Sequence, residues 1–94
     1  MRWVWDARKN HLNKQRHGLS FETACLVFDD PLAMSRCDPC ADEARWQTVG
    51  VIGSVAVFVV HTDPRLIHGE ETGRIVSARK ATKQERKAHE EGDL

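Results

Sequence analysis

Apolar positions along the chain change period several times, and each change marks an element. Arg2-Trp3-Val4-Trp5 is a short aromatic and β-branched run, the composition of a strand. Asp6 follows it, and its carboxylate can accept from the unpaired first amides of a helix over Ala7–His17. Gly18 then offers the left-handed residue that ends a helix cheaply. Ser20 opens a second helix, in which Phe21, Ala24, Cys25 and Phe28 recur at helical spacing. Asp29-Asp30-Pro31 closes it, because proline disfavours a helical residue before it. Leu32–Arg36 reads as a short strand and Cys37–Glu43 as a polar loop.

Two longer strands come next, Arg45–Ile52 and Val55–Thr62. Gly53-Ser54 between them places glycine where a type II′ turn needs it. Val55–Val60 is apolar at almost every position, the mark of a central strand buried on both faces. Asp63–Thr72 is read as a polar loop and Arg74–Arg79 as the last strand. Thr82 and Glu85 then have capping-box spacing, opening a helix over Lys83–Glu91. Ala88 is the only apolar residue of that helix, so no core stripe is expected to hold it. The order of elements predicts one α+β domain over residues 1–94, its sheet mostly antiparallel, with two N-terminal helices and one C-terminal helix.

Charge refines the picture. The 94 residues carry 14 Lys and Arg against 14 Asp and Glu, which excludes a uniformly basic nucleic-acid binder. The signs segregate, however. Arg74, Arg79, Lys80, Lys83, Arg86 and Lys87 face only Glu85 in their stretch, while acid collects at Asp29–Asp30, Asp38–Glu43, Glu70–Glu71 and the C-terminus. A basic segment of this kind fits a local phosphate site. Three cysteines are an odd number for a disulfide framework, no apolar stretch is long enough to span a bilayer, and the N-terminus lacks the basic segment followed by an apolar stretch of a secretory signal. A reducing cytoplasm is the expected compartment. Cys37-Asp38-Pro39-Cys40 has redox or half-zinc spacing, but it sits in an acidic loop without two further ligands, so no metal site and no cofactor are expected.

The chain resembles the BrnT family of toxins, which belong to bacterial type II toxin–antitoxin pairs. The resemblance rests on Trp5-Asp6 with Lys9 and Asn13, Arg16-His17-Gly18, Ser20-Phe21-Glu22 and Val27-Phe28-Asp29-Asp30-Pro31-Leu32. It continues through Glu43, Arg45-Trp46, Val49-Gly50, the stretch Arg74–Thr82, and Glu85-Arg86 with Glu90. It implies a RelE-like twisted sheet and RNA cleavage that stops translation. It also implies a BrnA-like antitoxin with its own DNA-binding domain, expected in a two-plus-two complex. Contact with DNA would then be indirect. The chain departs from the family pattern at His89, where many relatives are expected to carry Tyr, and in a longer Asp63–Thr72 segment.

Cleavage of RNA through its 2′-hydroxyl needs a base, an acid and fixed cations at the phosphate. Arg79 is the leading phosphate clamp, because a guanidinium binds two phosphate oxygens in a planar fork. Arg74 is the second, although a regular strand would place it on the opposite face from Arg79. His89 is a candidate acid or base and stands one helical turn from Glu85, with which it could pair. Glu43 is a further candidate base. Lys80, Lys83, Arg86 and Arg45 are candidate backbone contacts, and Trp46 is weighed between core packing and base stacking. His17 is read as a helix C-terminal cap. A catalytically silent partner-binding module is the rival reading, and a DNA-binding regulator fits less well, since no helix pair reads as a helix-turn-helix.

Overall fold

The apolar run Val55–Val60 lies where its composition requires. The computed structural model describes residues 1–39 and 44–92. In it, strands β1 (Arg2–Val4), β2 (Met34–Cys37), β3 (Arg45–Ile52), β4 (Val55–Thr62), β5 (Arg65–Ile67) and β6 (Glu70–Lys80) form one sheet. The order is β1-β6-β4-β3-β2, with β5 also on β6, so β4 is central. Ala56, Val57, Phe58 and Val59 are all buried, and alternation sends them to both faces. Every pairing is antiparallel except that of β1 with β6. Helices α1 (Ala7–His17), α2 (Phe21–Ala24) and α3 (Lys83–Glu91) complete an α+β fold, with a 3₁₀ segment, Cys25–Asp29, continuing α2.

Gly53 takes φ +62° and Ser54 does not share a positive φ, the pattern of a type II′ turn between Ile52 and Val55. The second helix differs from its expected stripe. The 3₁₀ segment has three residues per turn, so Phe21, Ala24 and Val27 are the buried set, and Cys25 and Phe28 are only half-buried. With Val57, Val59, Ile75 and Ala78 they form the core under α1 and α2. Burying a side chain of this size stabilises by roughly 1.5–3 kcal/mol. Phe28 stacks on Trp3 at 4.1 Å, tying the 3₁₀ segment to β1. Gly73 on β6 faces the Trp3 ring so closely that a Cβ there would strike it.

The polar loop expected over Asp63–Thr72 is instead a hairpin. Arg65–Ile67 pairs with Glu70–Thr72, and His68 and Gly69 at φ 50° and 80° make the turn. Two positive φ values in succession define a type I′ turn, which matches strand twist. Strand β6 therefore begins at Glu70 rather than Arg74. The short strand expected at Leu32–Arg36 runs instead over Met34–Cys37.

One buried polar chain crosses the sheet. His61 Nδ1 lies 3.0 Å from the Thr62 carbonyl and Nε2 lies 2.6 Å from Thr48 Oγ1. A carbonyl only accepts, so Nδ1 carries the proton and Nε2 accepts from the Thr48 hydroxyl. Thr48 Oγ1 can then accept from Ser35 Oγ at 2.7 Å. Burial holds the His61 pKa below its ordinary value. The unfolded chain therefore binds this proton more readily, and the resulting stabilisation is complete above pH 6.5 and lost as pH falls below it. Melting temperature is expected to decline from pH 6.5 downward, before carboxylates titrate, and this leg should vanish in His61→Gln. An unchanged slope in that variant would place the titrating group elsewhere.

Candidate functional site

The end of β6 and the start of α3 build a fixed guanidinium. Thr82 Oγ1 accepts from the Glu85 amide at 3.1 Å, and Glu85 Oε1 accepts from the Thr82 amide at 2.8 Å, closing a capping box. The box turns the Glu85 carboxylate back toward β6. There it accepts from Arg79 at both oxygens, Nη1 to Oε1 at 2.7 Å and Nη2 to Oε2 at 3.0 Å. Arg79 Nη1 also donates to the Lys80 carbonyl at 3.2 Å, and the guanidinium lies 4.1 Å over the Phe58 ring. The Arg79 guanidinium is the main reason that the Glu85 pKa is lowered. The Arg79 side chain remains 35% exposed. Of its five N–H groups, Nε–H and one Nη2–H have no partner among the described residues.

Arg74 joins the same face through a bulge. Val60 pairs with Ser77 but His61 pairs with Ile75, so Val76 is an extra residue on β6. Gly73 and Ile75 point into the core before the bulge, and Ala78 after it. The bulge thus reverses the regular alternation, and Arg74, Ser77 and Arg79 share the face opposite the core residues Ile75 and Ala78. Arg74 lines a cleft of about 270 Å³ with Thr62, Asp63, Arg65 and Thr72.

His89 is not on a solvated helix face. It is 8% exposed, and its Nε2 stands 3.2 Å from Asp30 Oδ2. The ring is close enough for an ion pair but is not aligned for a hydrogen bond. Asp30 Oδ1 accepts from the Leu32 amide and Oδ2 from the Val51 amide, both at 2.8 Å, and these bonds lead the causes of its lowered pKa. The expected Glu85–His89 pair does not form: Glu85 takes Arg79 and His89 takes Asp30. As expected, no apolar stripe holds α3, which docks instead through polar side chains of its own. Its inward residues are Glu85, Ala88 and His89, a stripe at helical spacing that is mostly polar.

The remaining candidates disperse. Lys80, Lys83 and Arg86 are exposed around the β6–α3 junction. Arg45 is half-buried opposite Thr62, four residues along β4 from Phe58, or about 13 Å at strand rise. Trp46 is half-buried opposite His61, on the other face from Arg79. Glu43 and Cys40 lie outside the described residues, and Cys37 is exposed. Among the described residues no three His, Cys, Asp or Glu side chains converge. No helix among them is long and apolar enough to cross a membrane.

Sequence reasoning passed over one basic surface. A groove of about 240 Å³ runs between α1 and the β6 bulge, lined by Lys9, Leu12, Arg16, His17, Val76 and Ser77. The signal was present, since α1 carries Arg8, Lys9, Lys14 and Arg16 and no acid.

Residues 5–85 match the sequence model of a family described as ribonuclease toxin, BrnT, of type II toxin–antitoxin system. No curated protein matches the chain.

Proposed function

Because the chain belongs to the BrnT ribonuclease toxins of type II toxin–antitoxin systems, we propose that it is a metal-independent RNA endonuclease of RelE-like fold. It acts as one domain in the bacterial cytoplasm, cuts mRNA, stops translation, and is silenced by a BrnA-like antitoxin. The observation that carries this reading is Arg79, held by Glu85 and Phe58 with two N–H groups still open. A cation fixed before substrate arrives spends no reorganisation at the moment of reaction.

In the proposed step the 2′-hydroxyl oxygen bonds to the adjacent phosphorus and the bond to the 5′-oxygen breaks. The products are a 2′,3′-cyclic phosphate and a 5′-hydroxyl. Arg79, with Arg74 on the same face, stabilises the crowded phosphate. Glu43 and His89 are the titratable candidates to take the 2′ proton and to protonate the leaving oxygen. His89 does so only after parting from Asp30. Lys80, Lys83, Arg86 and Arg45 position the backbone, and Trp46 offers a stacking surface. The antitoxin covers the basic face with acidic and apolar residues in a two-plus-two complex, and its own domain contacts DNA.

The purified chain is expected to cut single-stranded RNA in excess EDTA, leaving 2′,3′-cyclic phosphate ends, and to arrest growth when expressed alone. The rival reading, a silent partner-binding module, draws on the fact that Glu85 already neutralises Arg79. A chain that cuts nothing and leaves growth intact is that module.

A further inference from the structure

We propose that the groove between α1 and β6 is a second RNA-backbone site, in which Lys9 and Arg16 hold phosphates beside the Arg79 centre. The inference rests on the reading of the chain as an RNA-cleaving enzyme and says where the strand runs. Lys9, Arg16 and His17 line the groove, and none has a side-chain hydrogen bond or ion pair among the described residues. Arg79, in contrast, is paired with Glu85. The basic groups that line the groove are thus on α1, which carries no acid, and Lys9 feels the Asp6 cap carboxylate without forming an ion pair with it.

The open edge of β6 links the two places. Asn13 of α1 bonds the Ala78 backbone there, Ser77 lines the groove beside it, and Arg79 lies two residues on from Ser77, about 7 Å along the strand. The floor is rigid. The Asn13 side chain donates to the Ala78 carbonyl at 2.7 Å and accepts from the Ala78 amide at 3.2 Å, fixing α1 against β6. Arg16 and His17 sit in the last turn of α1, whose carbonyl end favours cations, and Lys9 lies in its first turn. Leu12 in the wall is 42% exposed and gives a sugar or base an apolar contact. A polyanion laid from Arg79 across Ser77 into the groove meets a guanidinium at one end and Lys9, Arg16 and His17 at the other, while Asp29 and Asp30 line a different groove near Val51. RNA, not an acidic protein segment, is the occupant to which the family's activity commits this surface.

The probe is a 12-nucleotide single strand with every 2′-hydroxyl methylated, which binds but cannot be cut through that hydroxyl. Its affinity is measured from low to high salt for the wild type, for Lys9→Ala with Arg16→Ala, and for Arg8→Ala with Lys14→Ala. The two double variants remove the same charge from the same helix, but only the first pair lines the groove. Each lost phosphate contact flattens the plot of log affinity against log salt by about 0.7, so the groove pair should flatten it by about 1.4. The control pair should change it by less than half as much. Equal changes in both pairs, or none in the groove pair, overturn the proposal. A 4-thiouridine version of the same probe should crosslink the unaltered protein within Ala7–His17, a result that needs no variant to fold, and crosslinks confined to α3 would overturn it. The all-ribose strand separates the two readings. If the wild type does not cut it, the nuclease reading fails; if it is cut while the salt slope is unmoved by the groove pair, only the groove fails.

Discussion

Arg79→Ala is expected to slow RNA cleavage by about 10²–10³-fold, the usual cost of removing one preorganised donor from a developing phosphate charge. The argument depends on how the guanidinium is held. Its fork meets both Glu85 oxygens, its face rests on Phe58, and two N–H groups stay open. Arg79→Lys keeps the charge but has neither the planar fork nor the flat surface, so it should recover only a small part of the rate. Loss of Arg79 also frees Glu85, and a slower enzyme could reflect a displaced α3. Glu85→Gln distinguishes the two effects. It weakens the anchor of α3 while leaving the guanidinium in place, so its kcat should fall far less than that of Arg79→Ala even where its melting temperature falls as much. Single-turnover cleavage of one RNA by all four proteins, beside their thermal melts, checks this. Cleavage by Arg79→Ala within threefold of wild type would move the phosphate site elsewhere on the protein.

The strands and caps were legible because single residues announce them. Asp6, Gly18, Gly53 and the Thr82–Glu85 pair each do one local job, and each does it in the structure. The central position of β4 was legible because only a strand covered on both faces can be apolar throughout. What stayed hidden depends on exceptions to a period. The 3₁₀ turn moved burial from Cys25 to Val27. The bulge at Val76 brought Arg74 and Arg79 to one face, and nothing about Val76 itself marks an extra residue. The His68-Gly69 turn was missed because histidine is a less common occupant of the left-handed region than asparagine or aspartate. The inward face of α3 was missed for a different reason. An apolar stripe is the usual sign of docking, whereas α3 docks through two side chains whose partners, Arg79 and Asp30, are invisible until the chain folds. Lys9 and Arg16 were visible as charge but not as a groove, since their meeting with Ser77 follows from α1 lying along β6.

Asn13→Ala should be the most destabilising single polar substitution, at about 3–5 kcal/mol. Asn13 is a buried side chain on a helix that otherwise faces solvent. Its amide nitrogen donates to the Ala78 carbonyl at 2.7 Å and to the Leu19 carbonyl at 2.9 Å, and its oxygen accepts from the Ala78 amide at 3.2 Å. Strand β1 pairs with β6 only at Thr72–Arg74, so at Ala78 the Asn13 amide stands in for the next strand. Alanine leaves three backbone groups without partners, two of them buried at Ala78 and one half-buried at Leu19, each costing about 1–3 kcal/mol, with water recovering part of the loss. Against a total stability of about 5–15 kcal/mol, the melting temperature should fall by more than about 12 °C. Asn13→Asp should not rescue it, because a carboxylate still accepts from the Ala78 amide but sets negative charge against two carbonyl oxygens. A melting temperature within 3 °C of wild type for Asn13→Ala would mean that water closes this edge of β6 unaided. Ala78 sits between Ser77 and Arg79, so the same substitution should blunt cleavage even well below the melting point, through the placement of β6 rather than through any contact of Asn13 with RNA.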